Sequence, residues 1–389
     1  MKEVRVGIIG VGNMGSHHLA CMEKGEVVGL RAVSVCDIDP QRLRAAGETD
    51  PALRRFESAE ALLADPSIDA VIIAVPHPLH SRLAEQALRA GKHVLLEKPI
   101  DCRVSAAERL CDCAKESDRV FAIMFNQRTN GLFAEARRIL QSGELGALKR
   151  SVWIVTNWYR TQAYYDSGSW RATWRGEGGG VLLNQAPHNL DLWQWICGMP
   201  SAITAFCPSG KFHRIEVEDE ATLFAEYENG ATGLFVTSTG DCPGTNRLEI
   251  TGTRGKVVLE EGVLRRWQLE EDEREICARE REGFPHITPA YSEFRAPRES
   301  GHRGILQNFA DAILLGKPLL SPGVEGIREL WISNAAYLSQ WKGNVRVPIP
   351  FDCAEFDRLL DEKAAHSHLH EDTGARKDES CQKRWQVNW

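Results

Sequence analysis

Residues 4–23 read VRVGIIGVGNMGSHHLACME. A β-branched run, Val4–Ile9, delivers the chain into Gly10-Val-Gly12-Asn-Met-Gly15, and helical spacing takes over from Met14 to Glu23. Strand, glycine turn and helix in that order are the context that gives a G-x-G-x-x-G run its meaning. Gly10 permits the tight turn, Gly12 lets the backbone approach a pyrophosphate, and Gly15 lets helix and strand pack closely. The helix N-terminus, where Asn13 and Met14 stand, adds partial positive charge for phosphate. Asp37 ends a second strand, Leu30–Cys36, 22 residues after Gly15. A carboxylate there accepts from ribose hydroxyls and repels a 2′-phosphate, so the stretch predicts NAD rather than NADP. Arg42 softens that preference without reversing it.

Outward from this unit the alternation continues. Ala70–Val75 is a third strand, Leu79–Ala90 a helix, His93–Leu96 a fourth strand, Val104–Lys115 a helix and Val120–Phe125 a fifth strand. Alternating β and α predicts an α/β domain over residues 1–125, a Rossmann-type doubly wound parallel sheet covered on both faces. Beyond Asn126 the pattern changes. A helix, Leu132–Gln141, leads to a strand at Ser151–Asn157. Further strands are predicted at Ala202–Phe206, Ala221–Glu228, Ala231–Ser238, Arg247–Thr251 and Lys256–Leu259. Asn229-Gly230 is a hairpin turn between two of them. Arg265–Glu282 reads as a charged, solvated insertion or helix face. Helices at Gly304–Leu315 and Gly323–Trp341 follow. Residues 126–363 therefore read as an α+β domain with an open, largely antiparallel sheet, and 364–389 as a polar tail.

Bulk properties narrow the function. At roughly 100–200 residues per domain, 389 residues match this division. A net charge of −7 argues against nucleic acid as a partner. No apolar run approaches the ~20 residues that span a bilayer, and the glycine turn interrupts the stretch a signal peptide would need. A cytoplasmic protein is expected. The 11 cysteines include no C-x-x-C and read as small buried hydrophobes, not a zinc or disulfide framework. His366, His368 and His370 alternate in the tail, without the companions a metal site needs.

Two segments carry chemistry at the carboxyl edge of the predicted sheet, where open α/β sheets bind ligands. One is Pro76-His77-Pro78-Leu79-His80 after the third strand; the other is Glu97-Lys98-Pro99 after the fourth. Lys98, partly buried beside a cofactor, could orient a substrate hydroxyl and lower its pKa. Asn126 and Gln127, after the fifth strand, border the same cofactor, with Arg128 adding a polar contact toward substrate. Cofactor contacts are expected from Gly10, Gly12, Asn13, Met14, Asp37, Pro76, His77, His80, Glu97, Lys98, Pro99, Asn126 and Gln127.

Tryptophan is absent from the first third of the chain. None of the 11 precedes Trp153, and six lie between Trp153 and Trp195. The segment from Asn157 to Trp174 interleaves Trp158, Tyr159, Arg160, Tyr164, Tyr165, Trp170, Arg171 and Trp174. Aromatic platforms beside polar donors suit a sugar's C–H faces and hydroxyl rim. Trp158, Tyr159, Arg160, Tyr164, Trp170, Trp174 and Asn184 are the expected substrate contacts. Downstream, a triple glycine precedes Asn184-Gln185 and His188. Oxidising an alcohol needs a base for the proton, and imidazole titrates near neutrality.

Three blocks, the G-x-G-x-x-G start, Pro76-x-x-x-His80 with AGKHVLLEKP, and Gly178-Gly-Gly-Val-Leu-Leu-Asn184-Gln-Ala-Pro-His188-Asn-Leu-Asp191, resemble the glucose–fructose oxidoreductase/inositol dehydrogenase/MocA family. The resemblance reaches about Pro350 and implies a Rossmann domain, an open-faced second domain whose sheet often forms oligomer contacts, and NAD(P)-linked chemistry on sugars and polyols. It implies that Lys98 lies beside nicotinamide and substrate, and that His188 moves the proton. Many members carry an aspartate where this chain has Asn184, which leaves His188 less basic. Asp191, three residues beyond, could orient its ring. The combined expectation is an NAD-dependent dehydrogenase acting on a secondary hydroxyl of a glycoside, possibly at C3, as a homo-oligomer. The rivals are an NAD-dependent glycosidase working through transient C3 oxidation and a non-catalytic sugar or nucleotide sensor. The aromatic residues Trp385 and Trp389 suggest a tail that docks on a neighbouring subunit.

Overall fold

The computed structural model describes residues 3–168, 170–297 and 299–368; Trp385, Trp389 and His370 lie outside them. The chain divides into two compact units, Met1–Thr129 with Glu299–Leu330, and Asn130–Arg298 with Trp331–Trp389.

The first unit opens with β1 (Val4–Ile9), α1 (Asn13–Glu23), β2 (Leu30–Cys36), α2 (Pro40–Thr49), β3 (Arg54–Phe56) and α3 (Ala59–Leu63). It continues through β4 (Ala70–Ile73), α4 (His80–Arg89), β5 (His93–Leu96), α5 (Val104–Lys115) and β6 (Phe121–Ile123). Its six strands pair in parallel in the order β3-β2-β1-β4-β5-β6. That is the Rossmann order, with the switch in strand direction of travel between β1 and β4. The central strands are apolar throughout because both faces are covered: Ala70, Val71, Ile72 and Ile73 are all fully buried. The sequence pattern shows five strands and misses β3. This strand has three residues, two of them exposed arginines, too few for any periodicity to register.

The second unit contains α6 (Gly131–Gln141), β7 (Leu148–Val155), α7 (Gln162–Tyr165), α8 (Val181–Asn184) and α9 (Pro187–Cys197). Then come β8 (Ala202–Phe206), β9 (Glu220–Glu226), β10 (Thr232–Ser238), β11 (Asn246–Gly252), β12 (Gly255–Glu260), β13 (Val263–Gln268), α10 (Glu273–Arg279) and β14 (Ala290–Phe294). α11 (Gly301–Leu315) belongs to the first unit; after α12 (Gly326–Trp341), β15 (Val347–Pro348) and α13 (Cys353–Ala365) close the described chain. The nine-stranded sheet runs β14-β13-β12-β11-β7-β10-β9-β8-β15 and is antiparallel except where β10 meets β7. Asn229-Gly230 turns β9 into β10, with Gly230 at φ +81°. The stretch predicted as a solvated insertion or helix face divides: α10 is a helix that buries none of its residues, but Arg265 and Arg266 stand in β13, paired on both sides. Its charges compensate one another, for example Arg266 with Glu144 at 2.5 Å, so the strand tolerates them.

One face of this sheet carries Trp153, Phe235, Leu248 and Ile250, all buried. Trp193 of α9 stacks on Phe235 there, with ring centroids 5.4 Å apart, and its indole donates to Ser151 Oγ at 2.9 Å. The register sets Val152, Ile154, Leu234, Val236, Phe224 and Phe206 on the opposite face, where Phe206 and Phe224 are exposed.

The sequence reading runs the second domain unbroken from 126 to 363. The structure returns Glu299–Leu330 to the first unit. The reason is packing: Ile305, Leu306, Phe309 and Ala310 of α11 are buried in one cluster with Val4, Val6, Leu30 and Val35 of the parallel sheet.

Candidate active site

In the first unit the glycine turn is built as the sequence implies. Gly10 sits at φ +89°, and a Cβ there would lie 2.4 Å from the Ala74 carbonyl oxygen. A Cβ on Gly15 would lie 1.8 Å from the Gly10 oxygen, so strand and helix can approach only without side chains. Gly12 is different. The nearest atom to a Cβ there is Arg42 Nη1 at 3.7 Å, so the outer side of the turn is open space at the N-terminus of α1. That cradle fits a dinucleotide's phosphates. Asn13, exposed, and Met14, half-buried, start the helix. Asp37 is buried; its Oδ2 accepts from the Val11 N–H and its Oδ1 from the Asp39 N–H, both at 2.9 Å. The carboxylate thus ties the end of β2 to the glycine turn, with Arg42 Nη1 3.7 Å away.

The carboxyl ends of β4, β5 and β6 carry the other expected groups. Pro76 is exposed, His77 buried. Glu97 is buried, and its Oε1 meets His18 Nε2 of α1 at 2.7 Å. Burial pushes the Glu97 pKa up, but the His18 contact together with the neighbouring His302 and Lys98 outweighs it and the carboxyl is held at about 2. Rings of His17 and His302 flank His18, each with its centroid 5.9 Å away. Burial holds His302 down to about 3, so this ring is neutral at physiological pH, and its Nδ1 lies 3.4 Å from Asn126 Nδ2. Lys98 is half-buried. Asn126 and Gln127 are buried.

In the second unit His188 lies in the first turn of α9, opened by Pro187, which needs no N–H partner there. The approach to it is fixed by the triple glycine. A Cβ on Gly179 would stand 2.2 Å from Tyr337 Oη, and one on Gly180 1.9 Å from the backbone carbonyl oxygen of Glu218. Glu218 explains the tightness. Its buried carboxylate accepts the Gly180 N–H at 3.0 Å, the Leu182 N–H at 2.9 Å and the Tyr337 hydroxyl at 2.6 Å. Burial still dominates and raises its pKa to about 7. Asn184, at the end of α8, donates to Glu177 Oε1, while Glu177 Oε2 accepts the Ala172 N–H at 2.6 Å. Asp191 is fully buried and accepts from Gln194.

The aromatic segment forms a network before α8. Arg171 lies over Tyr164 at 4.7 Å and over Trp170 at 4.8 Å, and donates to Tyr164 Oη. Gln185 Nε2 donates to the same hydroxyl at 3.1 Å. Arg160 spans Trp158 and Tyr164 at 5.9 and 5.2 Å, and Tyr159 is exposed. A second buried acid anchors the segment: Asp219 accepts the N–H groups of Lys211, Phe212 and His213, and His213 Nε2 meets the Arg160 carbonyl at 2.9 Å.

The GFO_IDH_MocA model, an oxidoreductase family with an NAD-binding Rossmann fold, matches residues 4–125, and the GFO/IDH/MocA C-terminal domain matches residues 133–258. The chain belongs to this family. It is an NAD-dependent oxidoreductase. An uncharacterized oxidoreductase of Schizosaccharomyces pombe is 31% identical over 211 residues, 53% of this chain and 56% of that one, so that match spans little more than half of the relative. The scyllo-inositol 2-dehydrogenase (NAD(+)) of Bacillus subtilis is 24% identical over 90% of this chain and 97% of its own. Among solved structures, the WlbA dehydrogenase from Chromobacterium violaceum, in complex with NADH and UDP-GlcNAcA, is 28% identical. It has a TM-score of 0.77 over 90% of this chain and 97% of that one. No described helix is long and apolar enough to cross a membrane.

Within this family member, three expected contacts are spent elsewhere. Arg128, expected to meet substrate, is buried with Nη1 2.5 Å from Glu325 Oε2 and 3.1 Å from the Leu320 carbonyl. Trp174, also expected there, donates its indole N–H to the Glu216 carbonyl and packs edge-on against Tyr337 and Trp341. It lines a cavity of about 480 Å³ whose other walls are Glu216, Trp341, Leu359, Glu362, Lys363 and His366, none of them in the Tyr164–Gln185 network. His80, expected to touch cofactor, is buried between two backbone carbonyls. Glu218, Asp219, Glu177 and Tyr337 escape sequence reading. Their partners lie far along the chain or are bare N–H groups, and an acid-rich EVEDE run looks like a solvated face.

Proposed function

We propose that this oxidoreductase removes hydride from a secondary hydroxyl of a pyranose-type sugar or glycoside. In this reading the Lys98 ammonium polarises the hydroxyl and steadies developing alkoxide, and His188 accepts its proton. NAD, when bound, supplies the hydride acceptor; Gly10, Gly12, Asn13, Met14 and Asp37 are the residues that would hold it. The carrying observation is the shared hydroxyl of Tyr164, which joins Arg171 and Gln185 and so connects an aromatic, cationic platform to the segment bearing Asn184 and His188. Trp and Tyr faces beside guanidinium and amide donors suit sugar rings. Trp158, Tyr159, Arg160, Tyr164, Trp170 and Asn184 are the substrate contacts in this reading; so many aromatic residues favour a glycoside over a free polyol, and C3 is the hydroxyl proposed. The names of relatives, inositol dehydrogenases, levoglucosan dehydrogenase and a dehydrogenase holding a nucleotide sugar, support the class.

The test is a panel of inositols, free pyranoses, glycosides and nucleotide sugars, followed by NADH absorbance with product analysis. Lys98→Ala and His188→Ala should each lower kcat by about a hundredfold or more. Full activity in both variants would sink the assignment. Released aglycone without net NADH would instead identify an NAD-dependent glycosidase. The half-exposed apolar face of the nine-stranded sheet supports a homo-oligomer; a monomer in sedimentation velocity would remove that part.

A further inference from the structure

The Glu97-Lys98-Pro99 segment is gripped on both sides of the lysine, by two buried histidines. His18, fully buried on α1, contacts Glu97 Oε1 through Nε2 at 2.7 Å. The other Glu97 oxygen accepts the Lys98 N–H at 3.2 Å, and the Glu97 N–H continues the sheet to Ile73 at 2.9 Å. His80, 1% exposed at the start of α4, contacts the Pro99 carbonyl through Nδ1 at 2.6 Å and the Val75 carbonyl through Nε2 at 2.8 Å. One imidazole therefore lies between the loop after β4 and the loop after β5, and as a neutral ring it donates one N–H, taken here as Nδ1–H to the nearer carbonyl, that of Pro99. The other bridges the phosphate-turn helix and the loop after β5. Neither ring needs substrate or cofactor to do so.

We propose that His18 and His80 are positioning residues for Lys98: one fixes the residue before it, the other the residue after it, so that its backbone has a single setting from which the side chain extends. A lysine side chain is long and flexible, so any play in its backbone is added to the spread of positions open to the ammonium. Fixing the backbone removes that added spread. This inference rests on the reading of Lys98 as the substrate-polarising group.

The two contacts use different ring nitrogens, and this supplies the test. The amide nitrogen of glutamine overlays imidazole Nε2, and that of asparagine overlays Nδ1. His18→Gln keeps the contact to Glu97, whereas His18→Asn falls short of it. His80→Asn keeps the contact to Pro99, whereas His80→Gln loses it. The full-length variants are reductively methylated with formaldehyde, and labelling of each lysine is timed by mass spectrometry. Lys92, whose Nζ is held by the carbonyls of Asp65 and Ile68 at 2.8 Å, is the internal standard. The Lys98 labelling rate should change about fivefold or more in His18→Asn and His80→Gln, and stay within about twofold of wild type in His18→Gln and His80→Asn. With an active substrate, the first pair should lose kcat about tenfold or more with KM nearly constant.

Equal Lys98 rates in all four variants, or the opposite ordering, would overturn the proposal. So would failure of both variants at one position to fold, because that ring would then be scaffold. Labelling reads the setting of Lys98 without turnover. A fully active Lys98→Ala would therefore defeat the catalytic reading and leave the labelling result intact. Flat labelling would defeat the positioning role and leave the catalytic reading intact.

Discussion

At the scale of single residues, buried acids govern this chain more than its exposed charge does. Glu218 is the sharpest case. It is buried at 1% exposure, takes three hydrogen bonds and still has its pKa raised to about 7 by burial. Its folded pKa lies above the unfolded value of about 4.5, so between those values the folded state holds a proton that the unfolded state has lost. Stability contributed by the protonated form is complete below pH ~4.5 and is lost as pH rises through about 7, by up to about 3 kcal/mol. Glu218→Gln cannot ionise. Its unfolding free energy, from urea titrations at half-unit steps, should fall less steeply than that of wild type across this window. Parallel slopes would mean that Glu218 does not titrate there. Asp37 has a geometric part instead: its carboxylate oxygens accept the Val11 and Asp39 N–H groups and so shape the turn.

At the scale of elements, the glycine turns separate what is local from what is not. Gly180→Ala would push a methyl to 1.9 Å from the Glu218 backbone carbonyl oxygen and displace the elbow that leads to His188. The expected cost is about 1–3 kcal/mol of stability, with loss of turnover. Gly283→Ala, where a Cβ meets nothing within 4 Å, should leave melting and activity unchanged. Thermal melts of the two variants check this, and equal behaviour would refute it. The G-x-G-x-x-G turn could be read from sequence because its constraints fall within six residues and one strand end. The 178–180 run was visible as glycine, but its cause was not: Glu218 and Tyr337 stand 38 and 157 residues from Gly180. Aromatic and charged composition failed in the same way. Nothing local distinguishes Trp170, under an arginine beside Tyr164, from Trp174, packed against Tyr337 and Trp341. Arg128 could not reveal that Glu325 waits for it. Strands β13 and β14 were hidden because their arginines, glutamates and tyrosine do not alternate with apolar residues, whereas β9 and β10 declare themselves through period-two burial and an Asn-Gly turn.

At the scale of the whole molecule, the path of the chain decides what can be cut. A boundary drawn near residue 125 from the change in pattern would free a nucleotide domain that lacks part of its own core. Ile305, Leu306 and Phe309 are all buried at 1% exposure or less within the cluster that includes Val4, Val6, Leu30 and Val35. Gln307 adds a reciprocal pair of hydrogen bonds with the backbone of Val28 at 2.9 and 3.1 Å. Arg128 has its carboxylate partner, Glu325, in the same returning stretch. A fragment ending at Thr129 would expose the apolar floor that α11 covers, where the Phe309 side chain alone is worth about 3–5 kcal/mol, and would lose the pairing of Arg128 with Glu325. Against a typical total of 5–15 kcal/mol, the fragment should not hold a native fold. Joining residues 3–129 to 299–330 through a short Gly/Ser linker restores both. The prediction is that the joined fragment melts cooperatively and quenches or enhances NADH fluorescence on binding, while the fragment ending at Thr129 does neither. In the intact chain, Phe309→Ala should cost about 3–5 kcal/mol and weaken NADH retention although α11 is far along the sequence from the glycine turn. A shorter fragment that folds and binds NADH as well as the joined one would show that α11 only decorates the sheet.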